Sequence, residues 1–546
     1  MLTTLGRLGL LAASQITVLC YGQEVGLVPG VPNQPPSRTV TGTVINAVSG
    51  VPIRHALVQA PGIVPATVLT GPDGRFRFDN IPEGQVLISV QKPGFFDARS
   101  IPGVSEHQAN PFVTVGSGKN DFGIALYPAA RIVGRVTDAD GETAENISVQ
   151  VLSEQIVQGR KLLVPQNGGT TDDDGFYRID GLIPGRYKIF ANGQLLPASS
   201  WNAPPEVSVP AYYPDSRDLA SAQQIELKAA EEYRADFHLH SEPGFRVVAA
   251  VGGLPNPPNV GFSFENASGQ SVMFGAMNFD QSKAQFVAQA VPSGAWTLVL
   301  AANDGQANSY EAREEIVVDG AAVTDLQFTM HPLASIPVKV NHAVNKGQPE
   351  TDVAETAINA SLISVEPFRH SAYGLQAQGS PPVATFSNVA AGKYKLNMQP
   401  FGSECLESAW YGSVDLTRDY LVVGSGVSSV DTQALTINLR GDCATLSFKL
   451  QPGEQPRIGL VLIVGSSPVA EPETLPVQVP TLAQPDNVSM PLTLSPGSYQ
   501  VYAFSSVDGL EYANPEALRG YPSRTVNLEP GQKAEITLEL IEPKGN

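Results

Sequence analysis

Cysteine is nearly absent, with three in 546 residues, at positions 20, 405 and 443. That excludes a disulfide-framed miniprotein and any zinc site built from four thiolates. Neither Cys405 nor Cys443 belongs to a Cys-x-x-Cys or Cys-x-x-His pattern, which removes the common zinc and redox signatures. Histidine is sparse too, seven over the whole length, so no Ser-His-Asp set can be singled out. Gly-x-Ser-x-Gly, His-Glu-x-x-His, phosphate-loop and Ser-x-x-Lys patterns are missing from any context that would give them chemistry. Charged residues make up 16%, below the roughly 25% usual in soluble domains. Beyond the N-terminus no apolar run is long enough to span a bilayer. Helical periodicity is also scarce, and the stretch from Leu219 to Tyr233 is its only weak candidate.

The chain has an excess of acid, 53 Asp and Glu against 34 Lys and Arg, for a net charge of −19. A field of that sign repels phosphate backbones and argues against a nucleic-acid partner. Gly (51) and Pro (45) are plentiful and dispersed, the pattern of many short strands joined by turns. Length alone calls for several cores.

The N-terminus reads as an export signal. Arg7 is the only charge before Glu24, and Leu8 to Leu19 is mostly apolar. Cys20 and Gly22 place small residues for cleavage before Gln23. A lipoprotein signal would instead acylate Cys20, but Leu19 is not the small residue wanted before it. Residues 1–22 are therefore assigned as signal and 23–37, with four prolines, as a tether. Export leaves Cys405 and Cys443 as one pair, read as a disulfide with two separate buried thiols as the alternative.

One phrase recurs about once per hundred residues. Asp73-Gly74-Arg75-Phe76-Arg77-Phe78 runs to Pro82-Glu83-Gly84, and Asp174-Gly175-Phe176-Tyr177-Arg178-Ile179 runs to Pro184-Gly185-Arg186-Tyr187. Weaker echoes end at Gly294, Gly392 and Gly497. Asp-Gly between alternating runs predicts a tight hairpin with positive φ at both central residues. Phe76 and Phe78 share one strand face, with Arg75 and Arg77 on the other. The aromatic after the second turn (Tyr187, Trp296, Tyr394, Tyr499) is expected to pack against the opposite sheet. A repeat of domain length predicts about five tandem all-β sandwiches, Ig-like or transthyretin-like, at 38–130, 131–242, 243–335, 336–440 and 441–546.

The order Gly42-x-Val44, Gly50-x-Pro52, Ala56-x-Val58, Asp73-Gly74-x-Phe76-x-Phe78, Ile81-Pro82-x-Gly84, Gly94-Phe95 resembles the carboxypeptidase regulatory-like domain. The second repeat matches at Gly134-x-Val136, Asp174-Gly175-x-Tyr177-x-Ile179, Leu182-x-Pro184-Gly185 and Tyr187. The layout is also similar to large exported acidobacterial proteins. The resemblance implies a transthyretin-like sandwich, often grouped with carbohydrate-binding-like folds, and a non-catalytic attachment with no catalytic residues to carry over.

Three groups of residues stand as candidates for chemistry. Trp201, Tyr212 and Tyr213 lie in a Pro-rich excursion, and flat loop aromatics suit sugar stacking; the alternative is that they cover a domain junction. His238 and His240 share a strand face and could supply two metal ligands, though no third is visible. Asp138, Asp140 and Asp172 to Asp174 lack the spacing of a calcium loop and read as turn residues. The expected protein is exported, non-enzymatic and free of cofactors. It would serve as an envelope or extracellular binding scaffold, with polysaccharide or another envelope protein as partner. A structural spacer or adhesin stalk is the second reading, and a hydrolase with an unrecognised site the third.

Overall fold

A computed structural model describes residues 37–543, except 61–66, 102–111, 117, 119, 158, 194–204, 256–258, 275, 306–307, 343–357, 367, 369–370, 379–382, 400–403, 426–432, 452–456, 466–476, 484–487 and 508. Residues 1–36, read from the sequence as a signal and most of a tether, lie outside the described residues. Among the described residues the only α-helix is Pro515–Leu518, and nearly everything else regular is β-strand. The alternation read from the sequence carries over directly. In Arg75–Pro82, Phe76 and Phe78 are buried while Arg75 and Arg77 are exposed.

Strand pairing stays within five successive stretches of the chain, here called groups. Each group repeats one topology. Its opening strand pairs antiparallel with the strand leading into the second turn of the phrase, and parallel with its closing strand. In the first group Ser37–Asn46 lies between Arg75–Pro82 and Asp121–Pro128. In the second, Ala130–Thr137 lies between Phe176–Leu182 and the pair Glu232–Arg234 and Phe237–His238. The third places Phe245–Gly252 between Gln285–Val291 and Val323–Thr329. The fourth places Ala334–Asn341 between Val383–Val389 and Leu435–Arg440. The fifth places Ala444–Leu450 between Leu492–Leu494 and Lys533–Leu538. The fourth group departs from separate facing sheets. Ala372–Gln378 pairs on both sides, so one nine-strand path folds over a single core.

The phrase has a physical role at every position. Gly74 donates its N–H to Gly71 O (3.0 Å), Gly71 N–H reaches Arg75 O (2.8 Å), and Gly74 has φ +72°. Within the turn from Gly71 to Arg75 only Gly74 has positive φ, so this is a type I turn closed by a glycine bulge and not the two-residue hairpin expected. Asp172 to Phe176 repeats it, with Gly175 at φ +68°. A side chain at Gly74 would meet Val44 O at 2.7 Å, and at Gly175 Val136 O at 2.6 Å. In both places the opening strand's N–H bonds the glycine carbonyl, from Val44 (2.9 Å) and Val136 (2.8 Å). Gly42 and Gly134 of the opening strands face Phe76 and Tyr177 across the pair. The rings fill the space a β-carbon would occupy.

Four groups carry a bulge in the same place. Between Arg38 and Val40 the opposing strand spends one extra residue, and likewise between Ala130 and Ile132, Phe245 and Val247, and Ala334 and Ile336. In three of them the residue four before the turn glycine has positive φ: Asn80 (61°), Gly181 (76°) and Asn388 (53°). The turn glycines Gly84, Gly185, Gly294, Gly392 and Gly497 each begin the next strand.

Candidate functional site

The aromatic two residues after the turn glycine ties the turn down. Tyr187 Oη donates to Ile183 O (2.5 Å), Tyr394 Oη to Ala390 O (2.8 Å) and Tyr499 Oη to Ser495 O (2.6 Å). Trp296 Nε1 makes the same bond to Pro292 O (3.0 Å). Each donor reaches the carbonyl four residues upstream, so the ring packs inward while its polar tip closes the turn. Burial pushes the Tyr187 phenol up to about 12 and raises that of Tyr394 and Tyr499, so all three stay donors at neutral pH. The first group has Val86 in this seat and no such bond.

The candidate sugar platform takes a different form. Trp201 lies outside the described residues. Tyr212 is 1% exposed, its ring 4.9 Å from Phe190, and its hydroxyl bonds the Gln270 side chain of the third group and accepts from Asn266 Nδ2 (3.3 Å). It presents no face for stacking, which corrects that expectation. Tyr212, Phe190, Leu152 and Val207 share one core cluster with third-group residues such as Phe264 and Phe286, so the excursion seals a junction. Tyr213 is half-buried, edge-on to Phe237 (5.7 Å) and Tyr233 (6.4 Å).

The remaining candidates fall into local roles. His238 and His240 are exposed, with rings 5.8 Å apart; His240 Nε2 meets Asp215 Oδ2 at 2.8 Å and His238 Nδ1 meets Thr137 Oγ1 at 3.1 Å. Among the described residues no three His, Cys, Asp or Glu side chains are arranged to hold a metal ion. Asp138 Oδ1 accepts from the N–H of Asp140 (3.0 Å) and Glu142 (2.9 Å), and Asp172 Oδ1 from Asp174 (3.1 Å) and Phe176 (2.8 Å). These are turn-capping carboxylates.

Cys405 and Cys443 are bonded (S–S 2.11 Å, Cα–Cα 5.9 Å). Cys405 begins the strand Cys405–Tyr411 of the fourth group, and Cys443 immediately precedes the opening strand of the fifth. The bond therefore braces that junction, where Ser495 Oγ also donates to Leu406 O (2.5 Å). A longer-range contact comes from the second group. Its hairpin Ser148–Val157 and Arg160–Thr170 reaches the fifth group, where Ala513 N–H bonds Gly159 O (3.0 Å). Ile156 packs beside Leu462, Tyr502, Phe504 and Tyr512, and Gly159 lies so close to the Tyr512 ring that a β-carbon there would stand 2.5 Å away.

A cavity of about 260 Å³ opens where the third and fourth groups meet. Strand Ser309–Val318 supplies Glu311, Arg313 and Glu314, and Gln327, Thr329 and His331 line the same side. Val389, Ala391, Val423 and Ser425 come from the fourth group. Glu311 stands opposite His331 in the strand pairing. Arg313 is held by both carboxylate oxygens of buried Glu265, one of them at 2.8 Å. Burial raises the Glu311 carboxyl above its ordinary value; Arg313 opposes the shift, and Glu265 and Glu366 add to it. No signal in the sequence pointed to this site, because its walls come from strands and turns a hundred residues apart.

The model of the carboxypeptidase regulatory-like domain family matches residues 39–115 and 131–240. That is about a third of the chain, and it is the part where the phrase is best preserved. No curated protein matches. Among solved structures, the minor pilin GBS52 of Streptococcus agalactiae is 14% identical, covering 38% of this chain and 97% of its own, with a TM-score of 0.20. The shaft pilin SpaA of Lactobacillus rhamnosus GG is 8% identical over 37% of this chain and 98% of its own, with a TM-score of 0.15. BcpA, the major pilin subunit of Bacillus cereus, is 11% identical over 57% of this chain and 99% of its own, with a TM-score of 0.14. Scores this low carry neither arrangement nor role across to this chain. Among the described residues no helix is long and apolar enough to cross a membrane.

Proposed function

We propose that this chain is an exported, non-enzymatic scaffold of the cell envelope whose repeats close on one another instead of extending as a row. One observation carries the reading: the second-group hairpin is seated on the fifth group through Gly159 and Ala513. The common core of the second and third groups and the disulfide between the fourth and fifth support it, since each fixes a junction that a flexible string would leave loose. The signature residues of the repeats also have folding roles, which supports a protein acting through its shape. A second envelope protein is the favoured partner. Polysaccharide binding is the finer reading drawn from fold likeness, and it has no support at Tyr212.

Small-angle scattering on the mature chain tests this. Closure predicts a radius of gyration near the compact-chain scaling, about 24 Å for this length. Five sandwiches in a row, each about as long as a ten-residue strand, would give about 50 Å. A value near 50 Å would remove closure and restore the spacer reading. Tyr512→Ala should move the closed form towards the extended one.

A further inference from the structure

We propose that the outer face of the fourth group's sheet around Trp410 binds a neutral β-linked glucan, stacking a sugar ring on the indole and holding its hydroxyls with a row of amides. This gives the polysaccharide reading a site and does not depend on the closed arrangement of the groups.

Alternation fixes which side chains share that face. In Cys405–Tyr411, Ala409 points into the fourth core, so Trp410 and Ser408 point outward. Thr436 and Asn438 stand opposite them on Leu435–Arg440, and Lys339 and Asn341 continue the same two rows on Ala334–Asn341. Each row thus crosses three strands, a span of about 10 Å with room for about two sugar rings.

Trp410 is 39% exposed, and among the described residues its side chain makes no hydrogen bond and no ring contact. Trp296 shows the contrast, since its indole bonds Pro292 O and meets Phe274 edge-on at 4.9 Å. Trp410 instead leaves a flat apolar ring and an indole N–H to solvent, the two things a pyranose ring uses. The row beside it is already set in place. Asn341 Nδ2 donates to Asn438 Oδ1 (2.7 Å), and Asn438 Nδ2 donates to Ser408 Oγ (2.7 Å). These bonds orient both amides and leave each a second N–H to donate. A sugar hydroxyl both donates and accepts, so it matches such groups without needing a charge. Charge around the face is largely cancelled. Asp415, opposite Trp410, accepts from Thr417 N–H (3.0 Å) and Oγ1 (2.6 Å), and Arg440, next along from Asn438, pairs with Asp442 (2.6 Å). Lys339 is the one charged side chain in the two rows. The core of a protein interface would be apolar around its aromatic, whereas here the other five side chains are polar. A β-linked glucan fits this layout, because its equatorial hydroxyls leave C–H faces for the indole and ring the edge with hydrogen-bonding groups.

The test is calorimetric titration of the full mature chain with cellohexaose, laminarihexaose and hexagalacturonate, with tryptophan emission as a second readout. Saturable binding of either glucan with a shift in emission supports the site. Trp410→Ala should weaken it at least about tenfold and abolish the emission change, and Trp410→Phe should fall between. Asn341→Ala should weaken it about threefold or more. Phe176→Ala removes an exposed aromatic of the second group and should leave binding unchanged. Thermal unfolding checks that the variants stay folded. Silence of both glucans at millimolar concentration would overturn the proposal and leave the face to a protein partner. Tighter binding of hexagalacturonate, or a folded Trp410→Ala protein that binds like wild type, would overturn it as well.

Discussion

Replacing Tyr187, Tyr394 or Tyr499 with Phe removes one hydroxyl and leaves the ring in place. In each case the lost bond is the one from Oη to the carbonyl four residues upstream, at 2.5, 2.8 and 2.6 Å. A hydrogen bond of this kind contributes about 0.5–1.5 kcal/mol net, and an acceptor left half-buried without a partner costs about 1–3 kcal/mol. Packing hardly changes, so the loss at each site should be about 1–2 kcal/mol. A chain with several cores does not unfold in one step, and a single melting temperature would blur the effect. Hydrogen exchange read by mass spectrometry on peptides covering each turn gives the local answer. A change of 1–2 kcal/mol corresponds to about 5–30-fold faster exchange where opening is local. The acceleration should be confined to the group carrying the substitution. Exchange within about twofold of wild type at all three turns would refute the reasoning, because it would mean the ring alone holds the turn.

The other expectations concern separate features. Gly134→Ala puts a β-carbon 1.8 Å from Ala235 O, so the second group should lose about 3 kcal/mol or more, read as early melting of its peptides in exchange; wild-type protection would contradict the packing. Ala284 holds φ +48°, and Val251 N–H bonds its carbonyl (2.8 Å), as in the Gly74 and Gly175 seats. Ala284→Gly should therefore stabilise the third group by up to about 1 kcal/mol, the left-handed strain of about 1–2 less the entropy cost of glycine, whereas destabilisation in chemical unfolding would refute it. Breaking the disulfide, which spans 38 residues, should destabilise the fourth group and its junction by about 4 kcal/mol, measured by denaturant unfolding of the Cys405→Ser, Cys443→Ser double variant. The Glu311 carboxyl is raised above its ordinary 4.5, so it binds protons more tightly folded than unfolded. Its effect is to lower stability as pH rises from about 4.5 through its raised value, and Glu311→Gln should remove that part of the pH slope and be relatively more stable at neutral pH than at pH 4.

Much of the fold could be read from local chemistry. Gly74 and Gly175 marked turns because glycine takes positive φ without strain and leaves room for the opening-strand carbonyl that a β-carbon there would meet. Phe76 and Phe78 marked a buried strand face by alternation alone. The bulge was equally local but went unread. Asn80, Gly181 and Asn388 stand four residues before their turn glycines and are types that accept the left-handed region. The rest was illegible for a different reason. The role of Tyr212 depends on Gln270, 58 residues away, and an aromatic in a Pro-rich loop looks the same whether a ligand or a neighbouring group covers it. The cavity likewise joins residue 311 to residue 425, with no periodicity that links them.

The fading of the phrase along the chain is less a loss of structure than a change in which residues enforce it. The first group keeps the Asp-Gly turn and lacks the clamp, with Val86 in the aromatic's seat. The second keeps both. The third fills the glycine seat with Ala284, strained but still bonded to the opening strand, and carries the clamp through Trp296. The fourth and fifth clamp through Tyr394 and Tyr499. The two devices hold opposite ends of the same strand, which the glycine turn starts and the clamp finishes. Where one end is fixed, the other end can tolerate a poorer residue without losing register, because the opening strand pairs along most of the length between them. This explains why the topology recurs in all five groups while the family match stops at residue 240. It also predicts non-additivity. In the second group, where both devices are present, Gly175→Ala and Tyr187→Phe together should cost more than the sum of their separate effects, and simple addition in a double-mutant cycle would show that the ends act independently.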